Sequence, residues 1–153
     1  MTFKSTVHSA FTLERTLDAP PALVFQVWST PEGKKKWFVA HQAKEHLREM
    51  NFRVGGKDAL IGEWPNGMKS EFRAQYFDIK PDERIIYAYE MFLDGVKIST
   101  SLATIDFEPK GKGTRLVLTE QHAFVDGYED NGSRERGTND LLDQFVASLS
   151  PKN

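Results

Sequence analysis

The chain has 153 residues, no cysteine, and 20 Lys and Arg against 22 Asp and Glu, for a formal net charge of −2. That length suits one domain able to bury about 69% of its unfolded surface, while the missing cysteines exclude disulfides, thiol catalysis and Cys-ligated metal centres and fit a reducing, cytoplasmic setting. The charge balance leaves no positive excess for a phosphate backbone, and no run approaches the roughly 20 apolar residues of a membrane span, so neither a nucleic-acid partner nor a membrane span is expected.

Residues 1–5 lack a basic region followed by an apolar run, so no secretory signal is expected, and residues 150–153 carry no recognised targeting signal. From about His8 to Leu17 the chain alternates loosely and predicts a strand. Asp18-Ala19-Pro20-Pro21 stops it and opens a helix, because proline fits a first helical turn, where its missing N–H is no loss. Leu23, Val24, Val27 and Trp28 recur at helical spacing, and Thr30-Pro31-Glu32 opens a second short helix to about Trp37. Trp28 and Trp37 read as core. Lys34-Lys35-Lys36 reads as a solvated helix face, with a docking patch for an acidic partner as the alternative.

From about Lys44 the turn signals Gly55-Gly56, Pro65-Asn66-Gly67, Pro81-Asp82, Asp94-Gly95 and Gly111-Lys112-Gly113 punctuate stretches rich in Phe, Tyr, Ile, Val and Thr. This predicts an antiparallel meander of about six strands. A hairpin over Pro109–Thr114 places Phe107 opposite Leu116, Ile105 opposite Leu118, Ala103 opposite Glu120 and Ser101 opposite His122. A three-residue hairpin at Leu93-Asp94-Gly95 puts Met91, Tyr89, Tyr87 and Ile85 on the face of Ser99, Ser101 and Ala103. Phe72, Ala74 and Tyr76 join that face by alternation. The last segment, about Ser133 to Leu149, returns to helical period with a stripe of Leu141, Leu142, Phe145, Val146 and Leu149. The order β-α-α-β6-α describes an α+β domain spanning 1–153, with its core in about 8–149: a curved antiparallel sheet whose inner face meets a long C-terminal helix.

That face is aliphatic or aromatic near the Phe107–Leu116 hairpin and carries polar tips at its other end. Tyr76, Tyr87, Tyr89, Ser101, Glu120 and His122 there read as a ligand pocket: an apolar body with a few convergent polar groups. The competing reading is that these groups satisfy one another beneath the helix. Phe72 and Leu141 extend the apolar wall. Trp64 either closes the pocket or covers a strand end. Gly137 either permits close helix approach over the pocket or precedes a helix that begins at Thr138. The segment Phe124–Gly132 reads as a flexible loop beside the mouth. Glu120 and His122, two apart on one strand, leave the same face and form a candidate acid/base pair, or a structural salt link. His41 and His46 lack acidic residues at ligand spacing. No G-x-G-x-x-G, P-loop or G-x-S-x-G occurs, so neither metal nor cofactor is expected.

Several short motifs in order carry a resemblance: Asp18-Ala19-Pro20, Val24-Phe25-Gln26-Val27-Trp28, Thr30-Pro31-Glu32, Trp37-Phe38, Phe52-Arg53-Val54-Gly55-Gly56, Pro81-Asp82-Glu83-Arg84-Ile85, residues 114–120 and residues 136–143. With them the chain resembles the START-like, or SRPBCC, superfamily, in the branch named after the activator of Hsp90 ATPase. The resemblance implies a helix-grip fold, a sheet wrapped around a long C-terminal helix with a hydrophobic cavity between. It carries over no catalytic residue, and it matches only the C-terminal domain of the co-chaperone, so it does not extend to Hsp90 activation. The expected function is binding of a small apolar or aromatic molecule. The alternatives are a cyclase- or hydrolase-type enzyme using Glu120, His122 and a pocket tyrosine, and a protein-interaction domain. A homodimer through an exposed edge strand stays open.

Overall fold

The computed structural model describes residues 6–149; the segments read above for targeting signals lie outside them. Strand β1 (Val7–Leu17) is followed by two short helices, α1 (Pro21–Ser29) and α2 (Pro31–Trp37). Each begins on a proline. Thr30 joins them: its hydroxyl donates to Gln26 O at 2.9 Å and accepts from the Gly33 N–H at 3.1 Å. Then come β2 (Lys44–Met50), β3 (Lys57–Glu63), β4 (Lys69–Lys80), β5 (Arg84–Leu93), β6 (Val96–Lys110) and β7 (Gly113–Phe124), and finally α3 (Ser133–Leu149). The fold is an α+β helix-grip.

The seven strands form one antiparallel sheet in the order β1-β7-β6-β5-β4-β3-β2. β2 to β7 are the expected meander, and β1 returns to pair with β7, Ser9 against His122. The expected pairs Phe107–Leu116, Ile105–Leu118, Ala103–Glu120 and Ser101–His122 are all present. Tyr87, Tyr89 and Met91 share the expected face with Ala103, Ser101 and Ser99, and pair with them in that order. The β5–β6 turn differs in detail. It is a two-residue loop, with Asp94 (φ 50°) and Gly95 (φ 79°) both left-handed, and the register shifts by one residue between Met91 and Phe92. The shift returns Met91, Tyr89 and Tyr87 to the face of Ser99, Ser101 and Ala103, which an unbulged two-residue loop would have inverted. A second irregularity, between Tyr76 and Asp78, puts Phe77 out of register and exposed. Such bulges bend and coil a sheet.

The core lies between the concave face and the helices. Phe145 on α3 is fully buried, with its ring 5.1 Å from those of both Trp28 and Trp37; Trp28 also meets Phe107 edge-on. α3 begins at Ser133, so Thr138 is not its cap. Thr138 lies inside the helix, its hydroxyl donating to Arg134 O at 2.8 Å. Thr138, Leu142 and Phe145 form the buried side of α3.

Candidate functional site

Small residues on β6 shape the site. Ser99, Ser101 and Ala103 point to the inner face in successive rows. In each row they are flanked on β5 by Met91, Tyr89 and Tyr87, and on β7 by Phe124, His122 and Glu120. The small side chains of β6 thus run as a lower row, a trough in the side-chain relief and not an open cavity, between two walls of large ones. Its aromatic wall is continuous: the Phe72 ring lies 5.0 Å from Tyr89, and Tyr87 stands 5.9 Å from Tyr89 and 6.0 Å from Tyr76. Ser99, Ser101, Glu120 and His122 are all buried.

One side chain covers the polar end of this trough. Arg134, in the first turn of α3, donates from Nη1 to Tyr89 Oη and Ser101 Oγ, both at 3.2 Å, and from Nη2 to Ser99 Oγ at 2.7 Å. Its guanidinium carbon lies 5.6 Å from the Tyr89 ring centre and 5.2 Å from that of Phe124. The Tyr89 hydroxyl donates to Glu120 Oε1, and the same oxygen bonds His122 Nε2 at 2.8 Å. His122 Nδ1 meets Ser9 Oγ at 3.3 Å, and its ring stacks on Phe124. Burial first, and the Glu120 carboxylate second, push the Tyr89 and Tyr87 phenols far above the usual tyrosine range. Tyr76, Tyr89, Ser101, Glu120 and His122 are each hydrogen-bonded, Ser101 through Arg134, so the polar tips on this face are largely partnered within the protein.

The structure brings together Phe72, Tyr76, Tyr87, Tyr89, Ser101, Glu120 and His122 on one face. Leu141 packs, partly buried, against the core. Trp64 stands just past β3, where its Nε1 donates to Ser70 Oγ at 3.2 Å, so it braces a strand end. Gly137 requires correction: it faces solvent, and a Cβ there would meet nothing within 4 Å, so it permits no close approach over the trough. Arg134 was not among the sequence-derived candidates. The available signal was its place on the stripe that continues through Thr138, Leu142 and Phe145. The loop from Val125 to Gly132 leads into it, with Asp126, Gly127, Asn131 and Gly132 all left-handed and Asp130 Oδ1 accepting from the Arg134 N–H at 3.0 Å.

A second buried polar cluster escaped the sequence reading. Lys34 is buried, not part of a solvated face, and pairs with Asp58 of β3. Tyr76 donates to the same carboxylate oxygen at 2.6 Å. Burial outweighs the attraction of Asp58 and holds the Lys34 ammonium below the usual lysine range. An open cleft of about 380 Å³ beside α2 reaches Lys34 and Asp58 and is edged by Lys35, Arg48 and Glu49. A shallower one, about 500 Å³, follows the β2–β3 turn. Neither borders Tyr89, Glu120 or His122. Among the described residues no three His, Asp or Glu gather as a metal site, and no helix is long and apolar enough to cross a membrane.

Comparison with known proteins agrees with this architecture. An uncharacterized protein from Rhizobium leguminosarum superposes with a TM-score of 0.92 at 42% identity, over 97% of this chain and 98% of that one. A protein from Rhizobium loti gives 0.89 at 37% identity, over 95% and 99%. One from Chromobacterium violaceum gives 0.77 at 26%, over 94% and 98%. The chain matches no curated protein. Residues 18–150 match the family described as Activator of Hsp90 ATPase homolog 1-like protein. This chain therefore belongs to the Activator of Hsp90 ATPase homolog 1-like family of the START-like superfamily.

Proposed function

We propose that the chain is a binding domain that takes a small apolar or aromatic molecule in the trough between the sheet and the start of α3. A helix-grip fold is compatible with such binding. One observation carries the reading further. The acceptor-rich end of an aromatic trough is covered by a single arginine from the first turn of a helix, after a loop with four left-handed residues. Moving that one side chain uncovers Ser99, Ser101 and Tyr89 without disturbing the apolar packing of Leu142 and Phe145. Ligand sites commonly combine this apolar lining with a few polar anchors.

The catalytic alternative has less support: both ring nitrogens of His122 are engaged, and Glu120 and His122 are buried. The docking-patch alternative loses Lys34 to the interior, leaving Lys35 and Lys36 exposed.

Native mass spectrometry of protein taken directly from cells, with thermal melting before and after extraction of small molecules, tests the reading. A co-purified compound that raises the melting temperature is expected, and Ser101→Leu, which fills the trough, removes both compound and shift while keeping the far-UV circular dichroism. If nothing co-purifies and no apolar or aromatic compound from a broad panel raises the melting temperature, the reading is wrong.

A further inference from the structure

We infer that the trough selects organic cations bearing a small aromatic or apolar body, and that the Arg134 guanidinium is the resident occupant a ligand cation replaces. This deepens the binding reading above and rests on it.

The directions of the hydrogen bonds argue for it. A phenol has one proton to give, and Tyr89 gives it to Glu120. Towards the trough Tyr89 therefore presents only lone pairs, and Arg134 Nη1 takes one of them at 3.2 Å. Ser99 and Ser101 likewise accept from the guanidinium. Among the described residues its side-chain acceptors are all hydroxyls; a buried negative charge, Glu120, stands one hydrogen bond behind, through Tyr89, and the Asp130 carboxylate bonds the Arg134 backbone N–H. Two aromatic faces, Tyr89 and Phe124, complete the surroundings. Ring faces carry negative potential and attract cations, ammonium and guanidinium ligands included. Tyr89 and the two rings thus offer only electron-donating surface, backed by a buried carboxylate, while the Ser99 and Ser101 hydroxyls can turn either way and accept from the resident guanidinium. A ligand carboxylate would have two serine protons against the Tyr89 lone pairs, the ring faces and the charge of Glu120, whereas an ammonium or amidinium would inherit all the bonds Arg134 now makes.

The occupant is also placed to leave. Arg134 is the second residue of α3, is only partly buried, and follows the loop ending in Asn131 and Gly132. Helix ends and loops open at lower free energy than core elements. Once out, a guanidinium regains its hydration, and the rest of α3 keeps its anchor through Leu142 and Phe145.

Three probes with one ring and three charges decide the matter: benzamidinium, benzyl alcohol and benzoate, titrated calorimetrically into wild type, Arg134→Ala and, should that variant fold poorly, Arg134→Met. Benzamidinium is expected to bind the Arg134 variant about tenfold or more tightly than wild type, and to raise its melting temperature. Adding Glu120→Gln is expected to cut benzamidinium affinity about tenfold while leaving benzyl alcohol unchanged. Preference for benzoate by wild type would overturn the inference, since Arg134 would then be the ligand's partner and not its competitor. Equal binding of benzyl alcohol and benzamidinium would also overturn it, yet would leave the binding reading standing. If none of the three binds, the cation assignment falls, and the co-purification experiment judges the binding reading separately.

Discussion

Lys34 lies on the buried side of α2, while Lys35 and Lys36 beside it face solvent. A run of three lysines in sequence reads as one charged face; on a helix, successive residues point in different directions, and this one meets Asp58 and Tyr76. The cost of losing one partner is the unpaired charge left behind, which exceeds the value of the pair. Lys34→Met is therefore expected to lower stability by about 3–5 kcal/mol in urea unfolding. Adding Asp58→Asn removes the stranded charge while still accepting from Tyr76, so the double variant is expected to recover more than half of that loss. A double variant as unstable as the single one would show that the ammonium itself, not the orphaned carboxylate, is what matters. None of this was legible in the chain's order, because Lys34 and Asp58 meet only once α2 is docked on β3.

Hairpins transmit their register locally, which is why the pairs across β6 and β7, and the face shared by β5 and β6, could be read from turn signals and alternation. The two-residue Asp94-Gly95 loop with its compensating bulge shows the limit of that reading: the face assignment held, the turn geometry did not. α3 illustrates the same point on a helix. Its apolar stripe was legible, but Arg134 was hidden because a charged residue at a helix start ordinarily belongs to solvent. Gly137 lies inside α3 with open space where a Cβ would go. Gly137→Ala is expected to raise stability by about 1 kcal/mol, through helix propensity alone, and to leave ligand binding unchanged. A loss of stability in thermal or urea melts would contradict the outward placement of this residue.

At the scale of the molecule, the sheet collects Tyr76, Tyr87 and Tyr89 onto one buried face, and their titration acts together. Burial first, then nearby carboxylates, raise all three above their unfolded value of 10.0. Above about pH 10 the unfolded chain releases phenolic protons that the folded chain keeps, so stability falls as pH rises, by about 1.4 kcal/mol per pH unit for each phenol. Lys34 has the opposite sign: its lowered value means the unfolded chain binds more protons below 10.5, so its contribution improves as pH climbs towards that point. Three phenols outweigh one ammonium above pH 10. Phenolate absorbance near 295 nm from the buried tyrosines is expected to appear only with the loss of far-UV circular dichroism, in a single steep alkaline transition. A gradual rise of all four tyrosines near pH 10 in a chain that stays folded would rule this out.

Composition and periodicity by themselves determined the element order, the β6–β7 register and the concave face on which Tyr87, Tyr89, Glu120 and His122 meet, because helix and strand periods and tight turns act over a few residues. Pairing of β1 with β7, with Ser9 and His122 113 positions apart, was decided only by the tertiary structure. So were the burial of Lys34 against Asp58 and the descent of Arg134 into the trough. Those contacts depend on where whole elements dock, and docking is set by the summed packing of the core, which no local stretch of sequence contains.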